Sequence, residues 1–217
     1  MTPRAFAAAL MLVSAFALSA CSASMPRMAG APTTQIVADY GEVVDAGYTV
    51  PAVPIQRLEE RFKRQVVRYP TNEEPGTIVV DTPNKFLYFI LPNGEAVRYG
   101  IGVGREGFAW EGEAYVAWKQ AWPRWHPPAE MIERQPELER FADGGQDPGL
   151  LNPLGARALY LFDADGNDTL YRLHGTPEWA SIGTAASSGC IRLMNQDIID
   201  LYERVQPGRQ AKVVVLQ

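Results

Sequence analysis

Hydrophobic and polar positions alternate along most of the second half of the chain, and short polar turns separate the alternating segments. The segments are TIVVD (77–81), KFLYFIL (85–91), AVRYGIGVG (96–104), EAYVAWKQAW (113–122), ALYLF (158–162), TLYRLHG (169–175) and VVVL (213–216). A period of two with many β-branched and aromatic residues is typical of strands. The pattern therefore predicts a domain that is mainly β.

Two turns and one helix complete this prediction. Pro92-Asn93-Gly94 indicates a hairpin, because Asn-Gly accepts the positive φ angles that such turns require. The polar run DADGND (163–168) predicts a second hairpin turn, since it lacks the length and the terminal glutamate of an EF-hand calcium loop. NQDIIDLYERV (195–205) predicts an amphipathic helix capped by Asn195. The expected fold class is mainly β with few helices.

The first twenty residues have the pattern of a targeting segment. Arg4 precedes an apolar run (5–20) that is too short to span a membrane. The tetrapeptide LSAC (18–21) resembles the bacterial lipobox, in which the cysteine is acylated before the signal is cut. The prediction is a lipoprotein signal peptide over 1–20 and lipidation at Cys21. The alternative is a plain secretory signal with an accidental cysteine.

A lipidated Cys21 would determine where the protein resides. Two or three acyl chains give stable anchoring, whereas one chain does not. Ser22 follows the cysteine, and the absence of Asp there favours the outer membrane by resemblance to lipoprotein sorting rules. The expected location is the periplasm, with the protein anchored to the cell envelope through its lipid.

Composition divides the rest of the chain in two. Residues 21–76 are rich in Pro, Ala and Thr and predict a tether, with a possible short helix around IQRLEERFKRQ (55–65). Residues 77–217 form the predicted folded domain. The chain has 217 residues, 47% of them hydrophobic, which suits a single globular unit. Its net charge of −5 provides no basic field for nucleic acid.

Cysteine and histidine are scarce, and one of each lies close together in the sequence. If Cys21 is acylated, Cys190 is the remaining cysteine in an oxidising compartment, where reactivity is a natural reason for its presence. The alternative is a small buried hydrophobe. His174 ends a predicted strand upstream, and an imidazole can remove the proton of a thiol during attack. Gly189 allows a tight backbone whose N–H groups converge on an oxyanion.

The glycine pattern GVGREG (102–107) matches a dinucleotide-binding motif in spacing only. Such a site needs a helix directly after the glycines. The following residues, FAWEGEAYVAW, predict a turn and a strand. The motif is therefore dismissed.

The order of motifs resembles one enzyme family. HGT (174–176), SSGCIR (187–192) and NQD (195–197) are similar to the signature of the L,D-transpeptidase catalytic domain, also called the YkuD domain. The similarity extends over 77–217 and includes NPLGARALYL (152–161). The resemblance implies a β-rich catalytic fold and a cysteine that accepts the acyl group of a peptidoglycan stem tetrapeptide, expels D-Ala and passes the acyl group to an amine. It implies no metal and no organic cofactor.

The same resemblance implies roles for individual residues. Cys190 is the expected nucleophile and His174 the expected general base. The backbone of Gly175 is expected to orient the imidazole, and the N–H groups of Gly189 and Cys190 to hold the oxyanion. Ser188 stands where many family members have a second histidine, so only its backbone is expected to shape this loop.

Two further side chains are candidates for substrate contacts. Arg192 matches the family's arginine after the nucleophile and is expected to fix the loop or a substrate carboxylate; the alternative is a structural cation. The segment 118–136 contains Trp118, Trp122 and Trp125. Trp125 is a candidate for substrate binding, although packing is expected for two of the three indoles. His126, followed by two prolines, is expected to be structural and at the surface.

Two other protein classes are alternatives to this interpretation. A sortase-like cysteine transpeptidase also combines histidine, cysteine and arginine, but with much wider spacing. A catalytically silent lipoprotein that only binds peptidoglycan would not need both Cys190 and His174.

Overall fold

Strands dominate the computed structural model, which describes residues 35–36, 39–104, 111–187 and 189–217. The strands are β1 (Gln35–Ile36), β2 (Val43–Asp45), β3 (Tyr48–Val50), β4 (Gln65–Arg68), β5 (Ile78–Asp81), β6 (Phe86–Leu91), β7 (Glu95–Gly100), β8 (Val103–Gly104), β9 (Gly112–Ala121), β10 (Arg157–Phe162), β11 (Asp168–Thr176), β12 (Ala185–Ser187), β13 (Ile191–Met194) and β14 (Lys212–Leu216). The α-helices are α1 (Ala129–Arg134) and α2 (Asn195–Arg204). Short 3-10 helices lie at Ile55–Arg57, Glu60–Phe62, Pro92–Gly94, Pro136–Phe141 and Trp179–Ser181. The expected fold class, mainly β with few helices, is confirmed.

Ten strands form one mixed sheet in the order β1-β4-β7-β6-β5-β14-β9-β10-β11-β13. Most neighbours are antiparallel, but β5 pairs in parallel with β14, and β11 pairs in parallel with β13. The pairs β2–β3 and β8–β12 form two smaller sheets. The β11–β13 pair joins the strand that carries His174 to the loop that carries Cys190.

Both halves of the large sheet contribute to one hydrophobic core around α2. Ile78 of β5 and Tyr99 of β7 share this core with Leu159 of β10 and Leu173 of β11. Ile198 of α2 is fully buried in the same core. Burying one large apolar side chain stabilises the folded state by about 1.5–3 kcal/mol. One face of β11 and β13 thus packs on the core through Leu173, Ile191 and Leu193. The side chains between these residues lie on the opposite face.

The predicted turns are present. Asn93 and Gly94 have φ angles of 64° and 70°, and they connect β6 to β7. The polar run at 163–167 connects β10 to β11, and the backbone N–H of Asn167 donates to Asp163 Oδ1 at 2.8 Å. The helix at 195–204 also matches its prediction. No helix among the described residues is both long and apolar enough to cross a bilayer.

One capping prediction is wrong. Asn195 is the first residue of α2, and the residue before it provides no side-chain cap. The Asn195 side chain instead accepts a hydrogen bond from the backbone N–H of Ala156 at 2.9 Å. It therefore joins the helix to the segment before β10, a long-range contact that a local capping rule does not detect.

The segment 39–76 differs from the predicted tether. Tyr40, Val50, Leu58 and Phe62 are buried, and β4 pairs with β7 inside the large sheet. The expected helix at 55–65 consists of two separate 3-10 turns. Leu58 and Phe62 recur at helical spacing, but Leu58 ends the first turn and Phe62 belongs to the second, so the spacing does not correspond to one continuous helix. The rest of the predicted tether, apart from the short strand β1, and the predicted signal peptide lie outside the described residues.

A partly buried ion pair attaches this N-terminal segment to the sheet. Asp45 accepts two hydrogen bonds from the Arg157 guanidinium, at 2.7 and 2.9 Å, and one from Trp122 Nε1 at 2.7 Å. The pKa of Asp45 is lowered, chiefly by the hydrogen bonds from Arg157. The ring of Tyr48 stacks on Trp122 with a centroid separation of 4.0 Å. These contacts fix the strand pair β2–β3 beside the start of β10.

A second polar cluster attaches the same segment to α2. The Tyr40 hydroxyl donates to Asp197 Oδ2 at 3.0 Å and accepts the backbone N–H of Arg64 at 2.7 Å. The Arg64 guanidinium lies 3.4 Å from Asp200. Burial raises the pKa of Asp197 to about 7. Because α2 packs behind β11 and β13, this cluster supports the strands that carry the candidate catalytic residues.

Candidate active site

The parallel register of β11 and β13 brings the sequence-predicted residues together. His174 faces Arg192, and Leu173 faces Ile191. Continuing this register by one residue sets Cys190 beside Arg172. Side chains alternate along a strand, so Leu173 and Ile191 enter the core while His174, Arg192 and Cys190 share the opposite face. With strands ~4.8 Å apart and a rise of ~3.3 Å per residue, the Cα atoms of His174 and Cys190 lie roughly 8 Å apart.

The imidazole of His174 is buried, and its own strand fixes its orientation. Its Nδ1 lies 2.6 Å from the carbonyl oxygen of Gly175. A carbonyl oxygen only accepts hydrogen bonds, so Nδ1 carries the proton and Nε2 retains a lone pair. Burial lowers the pKa of His174 to about 4, and the charges of Arg192 and Arg172 act in the same direction. The ring is therefore neutral at pH 7 and can accept a proton at Nε2.

Gly175 allows α2 to approach the strand that carries this histidine. A Cβ at this position would clash with the Asn195 side-chain oxygen and would lie 2.9 Å from Ile198 Cγ2. Any larger residue would push α2 away from β11. Packing against α2 therefore requires glycine at position 175. The carbonyl oxygen of Gly175 accepts the hydrogen bond from Nδ1 of His174.

The thiol of Cys190 is partly buried beside two guanidinium groups. Burial raises the pKa of Cys190 above its ordinary value, whereas a hydrogen bond with the backbone of Arg172 and the charges of Arg172 and Arg192 partly offset this rise. A desolvated thiol is protonated at neutral pH. Cys190 and His174 are thus both uncharged in the resting site.

The loop before the thiol depends on Gly189. This residue has a φ of 130°, in the region that favours glycine. A Cβ there would lie 3.8 Å from the Tyr171 ring. Ser188 lies outside the described residues, so its predicted role in this loop stays a prediction. The expected oxyanion contacts of the Gly189 and Cys190 N–H groups likewise stay predictions.

Arg192 is held on several sides. Its backbone exchanges two hydrogen bonds of 2.9 Å with Gly102, and its guanidinium binds Glu178 at 2.8 Å. Gly102 belongs to the glycine pattern GVGREG and lies between strands β7 and β8. The residues 105–110 lie outside the described part of the chain.

A row of large side chains crosses the sheet towards Cys190, and sequence reasoning missed it. Trp118 pairs with Tyr160, which pairs with Arg172. The Trp118 and Tyr160 rings stack at 3.5 Å between centroids with an interplanar angle of 8°. The Arg172 guanidinium lies 4.5 Å from the Tyr160 centroid. Strand β9 is distant in sequence from the β10–β11 hairpin, so only the sheet register reveals the complete row.

The three tryptophans of the segment 118–136 differ in exposure. Trp122 and Trp125 are buried, whereas the side chain of Trp118 is 42% exposed. Trp125 packs against Phe141 with ring centroids 6.3 Å apart. It lies after the end of β9, outside the group formed by β11 and β13. His126 is exposed, as expected.

Comparison with a family model identifies the domain. Residues 75–215 match the YkuD model, described as the L,D-transpeptidase catalytic domain. The chain belongs to the YkuD family.

Two relatives from this family illustrate the match. "Probable L,D-transpeptidase ErfK/SrfK" of Escherichia coli (strain K12) is 33% identical over 63% of this chain and 43% of its own length. YqjB of Bacillus subtilis (strain 168), named as an L,D-transpeptidase, is 31% identical over 65% of this chain and 74% of its own length. The chain spans less than half the length of the Escherichia coli relative.

A solved structure is also similar to this YkuD chain. It is a Brucella melitensis protein named "Probable carnitine operon oxidoreductase caia", with 44% sequence identity and a TM-score of 0.50. The similarity covers 71% of this chain and 95% of that one.

The lipidation residue predicted at Cys21 lies outside the described residues.

Proposed function

We propose that this chain is a peptidoglycan L,D-transpeptidase with Cys190 as its nucleophile. The observation that carries the proposal is the placement of His174 and Cys190 on one face of the parallel pair β11–β13, within a YkuD domain. The lone pair on Nε2 of His174 is the base that such a reaction requires. The substrate is a stem tetrapeptide of peptidoglycan.

The acylation half of the reaction begins from two neutral groups. Nε2 of His174 takes the thiol proton as the sulfur of Cys190 attacks the carbonyl carbon of the third stem residue. The negative charge that develops on the carbonyl oxygen is stabilised by the N–H groups of Gly189 and Cys190. The tetrahedral intermediate collapses, the imidazolium gives its proton to the leaving nitrogen, and D-Ala departs, leaving a thioester on Cys190.

The second half transfers the acyl group to an amine. The neutral imidazole of His174 accepts a proton from the attacking amine, the thioester bond breaks, and the proton returns to the sulfur. Gly175 keeps Nδ1 protonated throughout, so the same nitrogen, Nε2, serves both half-reactions. Arg192 is proposed to fix the loop or to bind a substrate carboxylate, since its guanidinium lies on the same face as the thiol.

Other functions find less support. A sortase-like enzyme and a silent binding protein are not favoured by the YkuD match. The Brucella melitensis relative is named as an oxidoreductase. A dinucleotide site at Gly102 would need a helix after the glycines, whereas Val103–Gly104 form a strand and the next described element is the strand β9.

We also propose where the protein acts. Residues 1–20 are a lipoprotein signal peptide, and Cys21 carries the lipid that anchors the mature protein in the periplasm, at the outer membrane. The resemblance of LSAC to a lipobox and the serine at position 22 support this proposal. The catalytic domain of 77–217 would then act on peptidoglycan near that membrane.

A carbapenem tests the enzyme proposal against silent binding. Acylation of Cys190 by the β-lactam should raise the intact mass of the protein by the mass of one carbapenem, and Cys190→Ser should remain unlabelled. An unlabelled wild-type protein would favour the silent binder. Equal labelling of Cys190→Ser would place the reactive group elsewhere.

A further inference from the structure

Trp118 lies at the outer end of the row that leads to the thiol. One face of its indole is covered by Tyr160, yet the side chain is 42% exposed. Tyr160 itself is buried, and Arg172 is the next side chain in the row. The Arg172 guanidinium binds Asp168 through hydrogen bonds of 2.7 and 2.8 Å. The charge of Arg172 is thus paired, and the exposed surface of this row is an aromatic ring.

The row has a defined length. Trp118, Tyr160, Arg172 and Cys190 occupy four neighbouring strands or their continuation. Three steps of ~4.8 Å between strands separate Trp118 from Cys190 by roughly 14 Å. The rigid stack of Trp118 on Tyr160 therefore holds an exposed indole at a fixed distance from the reacting sulfur.

This distance fits the acyl donor of the proposed reaction. A tetrapeptide that loses its terminal D-Ala presents three residues between the scissile carbonyl and the sugar. Three extended residues span roughly 10 Å. The sugar begins at that distance and extends beyond it, so an extended stem that follows the row would bring its first sugar ring to Trp118.

We propose that the indole of Trp118 is a stacking platform for the glycan sugar that carries the donor stem peptide. The π face of an indole is electron-rich, and it attracts the weakly positive C–H hydrogens on one face of a pyranose ring. The inference rests on the proposed transpeptidase function, because the distance is counted from the acylated carbon. It assigns Trp118 to recognition of the sugar rather than of the peptide.

The test compares two donors for D-Ala release without an acceptor amine: a stem tetrapeptide and the same tetrapeptide on its disaccharide. The wild-type protein should have a higher kcat/KM with the disaccharide donor. Trp118→Ala should lower the ratio of the two kcat/KM values roughly three- to tenfold, the range for loss of an aromatic stack. Trp118→Tyr should retain most of that ratio because it keeps a ring.

The outcomes are distinguishable. Leu151→Ala, which removes another exposed apolar side chain (84% exposed), is the matched control and should keep the wild-type ratio. A wild-type ratio of one or less, or an unchanged ratio in Trp118→Ala, would overturn the inference while D-Ala release upholds the transpeptidase. Equal losses with both donors would assign Trp118 a structural role and also overturn it. A wild-type protein that releases D-Ala from neither donor would overturn the proposed function, and the inference with it.

Discussion

The imidazole Nδ1 of His174 lies 2.6 Å from the carbonyl oxygen of Gly175, the next residue along the same strand. Because the acceptor belongs to the backbone, its position does not depend on the rotamer of another side chain. Only one tautomer satisfies this contact, and that tautomer presents the lone pair of Nε2. A backbone carbonyl therefore takes the orienting role that a carboxylate has in Ser-His-Asp enzymes.

His174→Gln tests whether this ring is the base. The substitution should lower the rate of Cys190 acylation by ~10²–10⁴, the usual range for losing a positioned base. The rate is measured from D-Ala release under single-turnover conditions. The fold should survive, which a thermal melt checks, since glutamine is of similar size and the core lies on the other face of β11.

Two variants control for this result. Ser188→Ala should reduce the rate far less than His174→Gln, because only the backbone of Ser188 is expected to shape the loop. His126→Gln changes an exposed histidine and should leave the rate nearly unchanged. A loss in folded Ser188→Ala as large as that in His174→Gln would make the serine hydroxyl a catalytic group and contradict this scheme.

The pH dependence of thiol alkylation tests the neutral pair. Burial raises the pKa of Cys190 and lowers the pKa of His174 to about 4, so neither group is charged between pH 5 and 7. Only the thiolate reacts with iodoacetamide, and its fraction increases about tenfold per pH unit below the thiol pKa. The alkylation rate should therefore rise steadily with pH. A rate that stays level between pH 5 and 7 would indicate a preformed thiolate–imidazolium pair instead.

The local sequence predicts much of this fold and its site. Alternating segments locate the main strands, Asn93-Gly94 locates a hairpin, and the segment TLYRLHG locates the strand that carries His174 near its end. These features depend on neighbours in sequence, so local patterns reveal them. Gly189 was predicted to allow a tight backbone before Cys190, and its φ of 130° lies in the region that favours glycine.

Features that depend on distant residues were missed. The segment 39–76 packs through side chains such as Tyr40 and Phe62, which lie in one hydrophobic cluster although their neighbours in sequence are polar residues or glycine. The row from Trp118 to Arg172 requires the order β9-β10-β11, which includes a bulge between Tyr160 and its neighbour. A one-residue change of register would send these side chains to the other face. Sequence patterns fix each strand but leave the register open.

Asp45→Ala tests whether the N-terminal segment is part of the fold. It leaves the buried guanidinium of Arg157 without its carboxylate partner, and breaking such a pair costs about 3 kcal/mol. The melting temperature should fall by roughly 6–12 °C. Asp143→Ala removes an exposed carboxylate and should change stability by less than ~0.5 kcal/mol. If both variants have the melting temperature of the wild-type protein, residues 39–76 behave as a tether, contrary to this account.

Cys21→Ser tests the proposed lipid anchor. Without a thiol at position 21 no diacylglycerol can be attached, so the protein should leave the membrane fraction and appear in the soluble periplasmic fraction. Cys190→Ser is the matched control, because it also removes one thiol, and it should stay with the membranes. Membrane fractionation of Cys21→Ser that equals that of the wild type would count against lipidation.

The most direct test of the central proposal uses the purified protein with two donor stems and intact mass measurement. Tetrapeptide stems should release D-Ala and leave an acyl adduct on Cys190, whereas pentapeptide stems, the donors of D,D-transpeptidases, should react poorly. The adduct should be absent from Cys190→Ser. Preferential reaction with pentapeptides, or D-Ala release from tetrapeptides by Cys190→Ser, would contradict the assignment of this chain as a cysteine L,D-transpeptidase.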